Sequence, residues 1–272
     1  MNGPLQFTEN GTFQLTMFSD LHFAEDDEAD AKSARVMENV LAQEDPQVVV
    51  LNGDLISGEA TNRSMSSAYI DRVVAPLVDR DLPWASTYGN HDSELNLDPR
   101  QTFEREKRYP NSLTARMVSA PEAGVTNYYL PVFHHGASND SIPAVILWLF
   151  DSRGGHVPRS RSDSSDPIPR PNWVDDSAVE WFTSANDNLA SQYGRSIPSI
   201  AFFHIPVNAM RAFQRTGVNP ATEPGINGER VHQQGYGGGF DYNRQDFRFM
   251  QALLNTTGLM GTFSGHDHDN DW

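Results

Sequence analysis

The chain has 272 residues, with 20 Lys and Arg against 36 Asp and Glu, a formal charge of −16, and no cysteine. That charge argues against nucleic-acid and anionic-membrane partners, and the missing thiols exclude disulfides and zinc-thiolate sites. The length suits one large domain with an extensive core, so a single domain over 1–272 is expected. No apolar run reaches transmembrane length, and Met1-Asn2-Gly3-Pro4 lacks the layout of a signal peptide. Sequons begin at Asn10, Asn62, Asn139 and Asn255 and tilt the expectation towards a secreted or endomembrane glycoprotein, although a chain this rich in Asn, Ser and Thr generates several by chance.

In chain order, residues 13–18 read as a strand that runs into Asp20-Leu21-His22. Asp20 and His22 sit two apart, so in extended chain they share a face and can grip one ion. The acidic turn 25–28 reads as the solvated start of a helix over 31–43, favoured by the macrodipole. Val48-Val49-Val50-Leu51 has the pattern of a strand buried on both faces, and it stops at Asn52-Gly53-Asp54. The Asp54 carboxylate projects from the strand end and has two oxygens with which to bridge two cations.

A helix over 66–79 precedes a third strand, 84–88, which ends in Gly89-Asn90-His91-Asp92. The Asn90 amide oxygen is a neutral hard ligand, His91 a candidate proton donor, and Asp92 a candidate to orient it. Residues 128–133 and 144–150 read as adjacent strands of a second sheet, with His134 and His135 in a surface turn between them. The loop that follows, to about 171, carries Arg153, Arg159, Arg161 and Arg170, of which Arg153 is the candidate contact for a phosphate.

A helix over 173–193 leads to strand 198–203, which delivers His204. The Gly- and Pro-rich stretch 216–240 reads as a loop beside the site; no Lys-Ser/Thr ending follows its glycines, so it is not a P-loop. A helix over 244–254 precedes the apolar run 258–264, read as a buried strand, and then Gly265-His266-Asp267-His268. The two imidazoles again stand two apart and are expected to point the same way.

Five strand ends thus carry Asp20, His22, Asp54, Asn90, His204, His266 and His268. One bridging carboxylate with three further groups on each side holds two ions at a spacing of about 3.5–4 Å, the separation used in two-metal hydrolysis. A nitrogen and oxygen donor set suits Zn, Mn or Fe, or a mixed pair.

The ordered set Asp20-Leu21-His22, Gly53-Asp54, Gly89-Asn90-His91-Asp92, His204 and Gly265-His266-Asp267-His268 resembles the calcineurin-like metallophosphoesterases. Its flanking text is most similar to the fungal and plant purple-acid-phosphatase-like branch. The resemblance implies an α/β fold, a four-layer α-β-β-α sandwich of two mixed β-sheets flanked by helices. It also implies that Asp20, His22, Asp54 and His268 hold one ion and Asp54, Asn90, His204 and His266 the other. His91 would contact the scissile phosphate and protonate or stabilise the leaving oxygen, with Asp92 supporting it.

The activity implied is hydrolysis of small or exposed phosphate monoesters by a metal-bridging hydroxide attacking in line, with phosphodiester hydrolysis as the alternative. A non-catalytic scaffold would be expected to have lost ligands, and none is missing. Two features depart from the branch. Ser57 stands three residues after Asp54, where purple acid phosphatases carry a tyrosine, so no tyrosinate–iron colour is expected. The chain also ends four residues after His268, where relatives continue with further strands, so a C-terminal continuation is expected to be missing.

Overall fold

The computed structural model describes residues 3–62, 65–138, 141–158, 166–210, 221 and 240–268. Arg63, Ser64, Asn139, Asp140, Arg159, Arg161 and most of the 216–240 stretch lie outside the described residues, so the two middle sequons and the proposed loop beside the site are not characterised.

The strands are β1 (Leu5–Gln6), β2 (Leu15–Phe18), β3 (Val48–Asn52), β4 (Trp84–Thr87), β5 (Tyr128–Phe133), β6 (Val145–Phe150), β7 (Ser199–Phe203) and β8 (Leu259–Phe263). The helices are α1 (Asp27–Glu44), α2 (Tyr69–Val78), α3 (Pro99–Glu106), α4 (Asp176–Tyr193) and α5 (Phe247–Asn255). One sheet has the order β1-β5-β6-β7-β8 and is mixed, with β5 and β6 antiparallel and its other pairs parallel. The other, β2-β3-β4, is parallel throughout.

Side-chain alternation along the strands builds three apolar layers. In β3, Val48 and Val50 face the other sheet, where they meet Tyr128, Val132, Leu147, Leu149 and Phe202. Val49 and Leu51 face outwards onto Met37 and Leu41 of α1 and Val73 and Leu77 of α2. Trp148 and Phe150 of β6, with Phe203 of β7, pack on Phe182 of α4 and Phe249 of α5. The result is the expected α-β-β-α order, with β3 buried along its whole length.

Three local expectations needed correction. The strand before the last motif is not buried: Met260 is 64% and Phe263 45% exposed, because β8 is an edge strand with one neighbour. The fourth helix begins at Asp176 rather than 173, where the Asp175 side chain accepts from Ser177 N. The third, unexpected helix starts where the Asp98 side chain accepts from Arg100 N, with proline in its first turn. That Asp-Pro pair is a start signal legible in sequence.

Candidate metal centre

In the parallel sheet, β2, β3 and β4 end together, and in the mixed sheet β7 and β8 do the same. Ligand sites in open α/β sheets form beyond such carboxyl ends. Beyond them the chain does not continue as extended strand. Asp20, His22, Asp54 and His266 have φ of 55°, 49°, 48° and 73°. The period-two reading of Asp20-Leu21-His22 and His266-Asp267-His268 is therefore corrected: left-handed backbone at these residues aims the side chains. Each such residue costs on the order of 1 kcal/mol. Hydrogen bonds between strand ends hold them: Asp20 N to Gly53 O and His22 N to Asp54 O (both 3.0 Å), and His266 N to Asp20 Oδ1 (3.0 Å).

Six of the seven side chains converge, and the seventh, Asn90, precedes His91, whose ring joins them. Ligand atoms of Asp20, His22 and His268 lie within 4.8 Å of one another, as do those of Asp54, His204 and His266, and those of His22, Asp54 and His91. Asp54 Oδ2 lies 2.9 Å from His204 Nε2 and 3.9 Å from His22 Nε2, so one carboxylate faces both groups. His268 Nε2 is 3.3 Å from Asp20 Oδ1 and 3.2 Å from His22 Nε2.

The donor set fits cations on an internal test. Asn90 Oδ1 and His204 Nε2 are buried without a hydrogen bond; the 2.9 Å approach of His204 to Asp54 lacks hydrogen-bond alignment. Buried polar atoms usually meet protein, water or an ion, and these two belong to the candidate ligand set. His204 Nδ1 is 2.9 Å from Asn52 O, which can only accept, so Nδ1 keeps its proton and Nε2 is the nitrogen that would offer a lone pair inwards to a cation. His22 Nδ1 is held likewise, 2.8 Å from Ser57 Oγ and 3.0 Å from Glu25 Oε1. Ser57 thus steadies an imidazole in the place where a tyrosine would stand.

Over residues 13–270 the chain matches the family model described as calcineurin-like phosphoesterase. The chain belongs to the calcineurin-like phosphoesterase family. Probable inactive purple acid phosphatase 29 of Arabidopsis thaliana is 26% identical, over 98% of this chain and 70% of that one. Phosphatase DCR2 of Saccharomyces cerevisiae is 28% identical, over 98% of this chain and 46% of that one, so the chain spans less than half of the yeast protein. A crystal structure of a dimetal phosphatase from Danio rerio shares the fold, with a TM-score of 0.56 at 14% identity, over 94% of this chain and 82% of that one.

In this phosphoesterase the motif glycines are required by close approach. A Cβ on Gly89 would stand 2.3 Å from Asp54 Oδ1 and 2.5 Å from His204 Cδ2. One on Gly53, where φ is +89°, would stand 2.5 Å from the His204 ring, and one on Gly265 would overlap Ser19 Oγ. Gly89→Ala is expected to push Asp54 off its position and weaken metal binding by roughly ten- to a hundredfold, the scale of a disturbed outer shell. Calorimetric titration with Zn or Mn checks this; unchanged affinity would contradict it.

Two expected site residues have other work in the phosphoesterase. Asp92 does not touch the His91 ring: it is fully buried and accepts from Leu55 N (3.0 Å), Ile56 N (2.9 Å) and Gly89 N (2.8 Å), tying the β3 and β4 loops together. Arg153 is 5% exposed and turned away from the site. Its guanidinium donates to Trp173 O, Glu122 O and Asp175, so it is not available to a substrate.

The partner of His91 is instead Glu59, whose Oε1 lies 2.6 Å from His91 Nδ1. Nothing in the spacing of Gly58-Glu59 announces this, since a tertiary turn brings it there. Glu25 does more than the solvated helix start expected of it. The acidic turn does cap α1 through Asp26, yet Glu25 itself reaches back to Ser57 and His22.

In the metal-free phosphoesterase the charges of the site act on one another at close range. Burial opposes ionisation of Asp54, but the charge of His204, with those of His91 and His266, outweighs it and holds the carboxyl well below its usual range. Burial would lower His204, yet Asp54 and Asp20 push it up to about 10; for His91, Glu59 and Asp54 overcome burial and push it up to about 9. Burial and the charge of His204 lower His266 to about 4. Burial, together with Asp54, raises Asp92.

His91 and His204 are raised above their ordinary 6.5, so each contributes stability that is fully present below about pH 6.5 and is lost as pH rises through about 9 and 10. Thermal melts of chelator-treated protein should therefore show a falling Tm between pH 7 and 10. With metal bound the dependence should weaken or reverse, because protons compete with cations for the same nitrogens. A chelated protein whose Tm rises over that range would refute the coupling.

Proposed function

We propose that this phosphoesterase is a dimetal phosphomonoesterase acting on small or exposed phosphate esters. The observation that carries the reading is Asp54, whose carboxylate faces the Asp20–His22–His268 group on one side and the His204–His266 group on the other. Asp20, His22, Asp54 and His268 would hold one cation, and Asp54, Asn90, His204 and His266 the second; Zn, Mn and Fe all suit these donors. Bound there, two cations would lower the pKa of water and neutralise charge on the phosphoryl oxygens.

The chain's own residues supply the rest. Glu59 occupies His91 Nδ1, leaving Nε2 to meet the ester oxygen, and the Glu59 carboxylate favours a ring that carries a proton to donate. The His91 backbone N–H donates to Asp54 Oδ1 at 2.8 Å, which keeps the proton donor and the bridging carboxylate in register. The plant relative is named inactive, but every member of the donor set is present in this sequence.

Parallel assays with nitrophenyl phosphate and bis-nitrophenyl phosphate test the reading. Faster turnover of the monoester is expected, a strong diester preference would overturn it in favour of a phosphodiesterase, and a purified chain binding fewer than about one metal equivalent would overturn both.

A further inference from the structure

Past the ends of β2 and β3 the two loops go on pairing side by side. Asp20 N donates to Gly53 O, His22 N to Asp54 O, Phe23 N to Leu55 O and Ser57 N to Phe23 O, each at 3.0 Å, and Phe23 bridges Ile56 as in a parallel ladder. This pairing brings the buried Ser57 against the outer edge of the His22 ring.

The residues on either side of Glu25 are fixed as firmly. Phe23 is buried in the core, Ala24 N donates to the buried Asp30 at 3.1 Å, and the Asp26 side chain accepts from Ala29 N at 2.8 Å to start α1. Glu25 stands between these anchors, and its half-exposed side chain turns back onto His22.

Glu25 Oε1 lies 3.0 Å from His22 Nδ1 and accepts from Ser57 Oγ at 2.6 Å, while Ser57 Oγ lies 2.8 Å from the same Nδ1. With its one proton given to Glu25, the hydroxyl can only accept from the ring. The opposite nitrogen is the one at the centre: His22 Nε2 is 3.2 Å from His268 Nε2 and 3.9 Å from Asp54 Oδ2. A cation bound at Nε2 displaces whatever proton the free ring carries there, so this placement does not depend on the charge of the metal-free ring.

The other half of the centre is braced differently. His204 is fully buried and its Nδ1 meets a backbone oxygen, Asn52 O, whereas His268 is 53% exposed and the outer partner of His22 is a carboxylate. An imidazole backed by a carboxylate is held in orientation and is a stronger donor to a cation. The effect is one-sided, because the side-chain contacts of Glu25 among the described residues run to His22 and Ser57.

We propose that Glu25, acting with Ser57 through His22, is a positioning residue that sets the affinity of the cation at Asp20, His22 and His268 and leaves the cation at His204 and His266 unaffected. The open half of the centre is thereby tuned separately from the buried half. The proposal rests on the dimetal reading above.

Calorimetric titration of the chelator-treated full chain with Zn tests both ideas and separates them. Glu25→Ala should weaken binding of one of the two equivalents by roughly ten- to a hundredfold, the scale of a lost outer partner, and leave the other unchanged. Glu25→Gln keeps an oxygen for Ser57 and His22 and should lose less. In a His268→Ala background, where the open half is already broken, Glu25→Ala should leave the remaining equivalent as tightly bound as before. Should Glu25→Ala fail to fold, Ser57→Ala removes the shorter of the two contacts to the ring and should show the same one-sided loss. Equal weakening of both equivalents, no weakening of either, or a loss that persists in the His268→Ala background overturns the role of Glu25 and leaves the dimetal reading standing. A wild-type chain that takes up fewer than two equivalents overturns the dimetal reading, and this proposal with it.

Discussion

Asp54→Asn is expected to release about one cation and to lower turnover by roughly three orders of magnitude, since a shared ligand serves both ions of a two-metal site. The substitution keeps the shape of the side chain and an oxygen for the His91 N–H, so the turn after β4 has no steric reason to move. What it removes is the negative charge between His22 and His204, whose Nε2 atoms stand 3.9 and 2.9 Å from Asp54 Oδ2. A neutral amide cannot bridge two cations with both of its atoms, because its nitrogen is a donor. Metal analysis and single-turnover rates on the purified variant check the two halves separately. Full metal content with a rate within tenfold of wild type would remove Asp54 from its place at the centre.

The second large effect is expected at His91, with the opposite signature. His91→Ala should retain both cations while turnover falls by roughly two to four orders of magnitude, the scale of a lost general acid. Binding survives because the contact to Asp54 comes from the backbone N–H, which alanine keeps, while the ring is held from outside by Glu59. The loss should be larger for alkyl phosphates than for nitrophenyl phosphate, since a good leaving group departs with little need of a proton. Equal losses on both esters would show that the ring positions the substrate rather than protonating it, and retained turnover would remove it from the mechanism.

Much of this centre could be read from the chain alone. Each ligand follows an apolar run too short to be anything but a strand, and a donor residue placed directly after such a run is committed to the carboxyl edge of a sheet. The glycines of Gly53-Asp54, Gly89-Asn90 and Gly265-His266 were legible as punctuation, though not as the points where the β3, β4 and β8 loops touch. The expected shared faces of Asp20 with His22 and of His266 with His268 failed because side-chain periodicity holds only while the backbone remains extended. Arg153 and Asp92 depart from expectation for a related cause. An ionisable residue beside a motif can face the ligand or the core, and local sequence carries no sign of which.

By itself the sequence determined the layered α/β architecture, the order of the ligand-bearing strand ends and the chemistry of the donors, because those follow from short-range polarity and from residue type. Tertiary structure alone decided that Glu59 holds His91, that Glu25 and Ser57 hold His22, that Asp92 ties two loops together, and that His156 meets Glu94 on a ribbon clamped by Arg170. The physical reason is separation along the chain: Glu59 lies 32 residues from His91, and Glu94 lies 62 from His156. Pairings at such distances are set by how the loops of two sheets pack against one another, and no local pattern of residues encodes that packing.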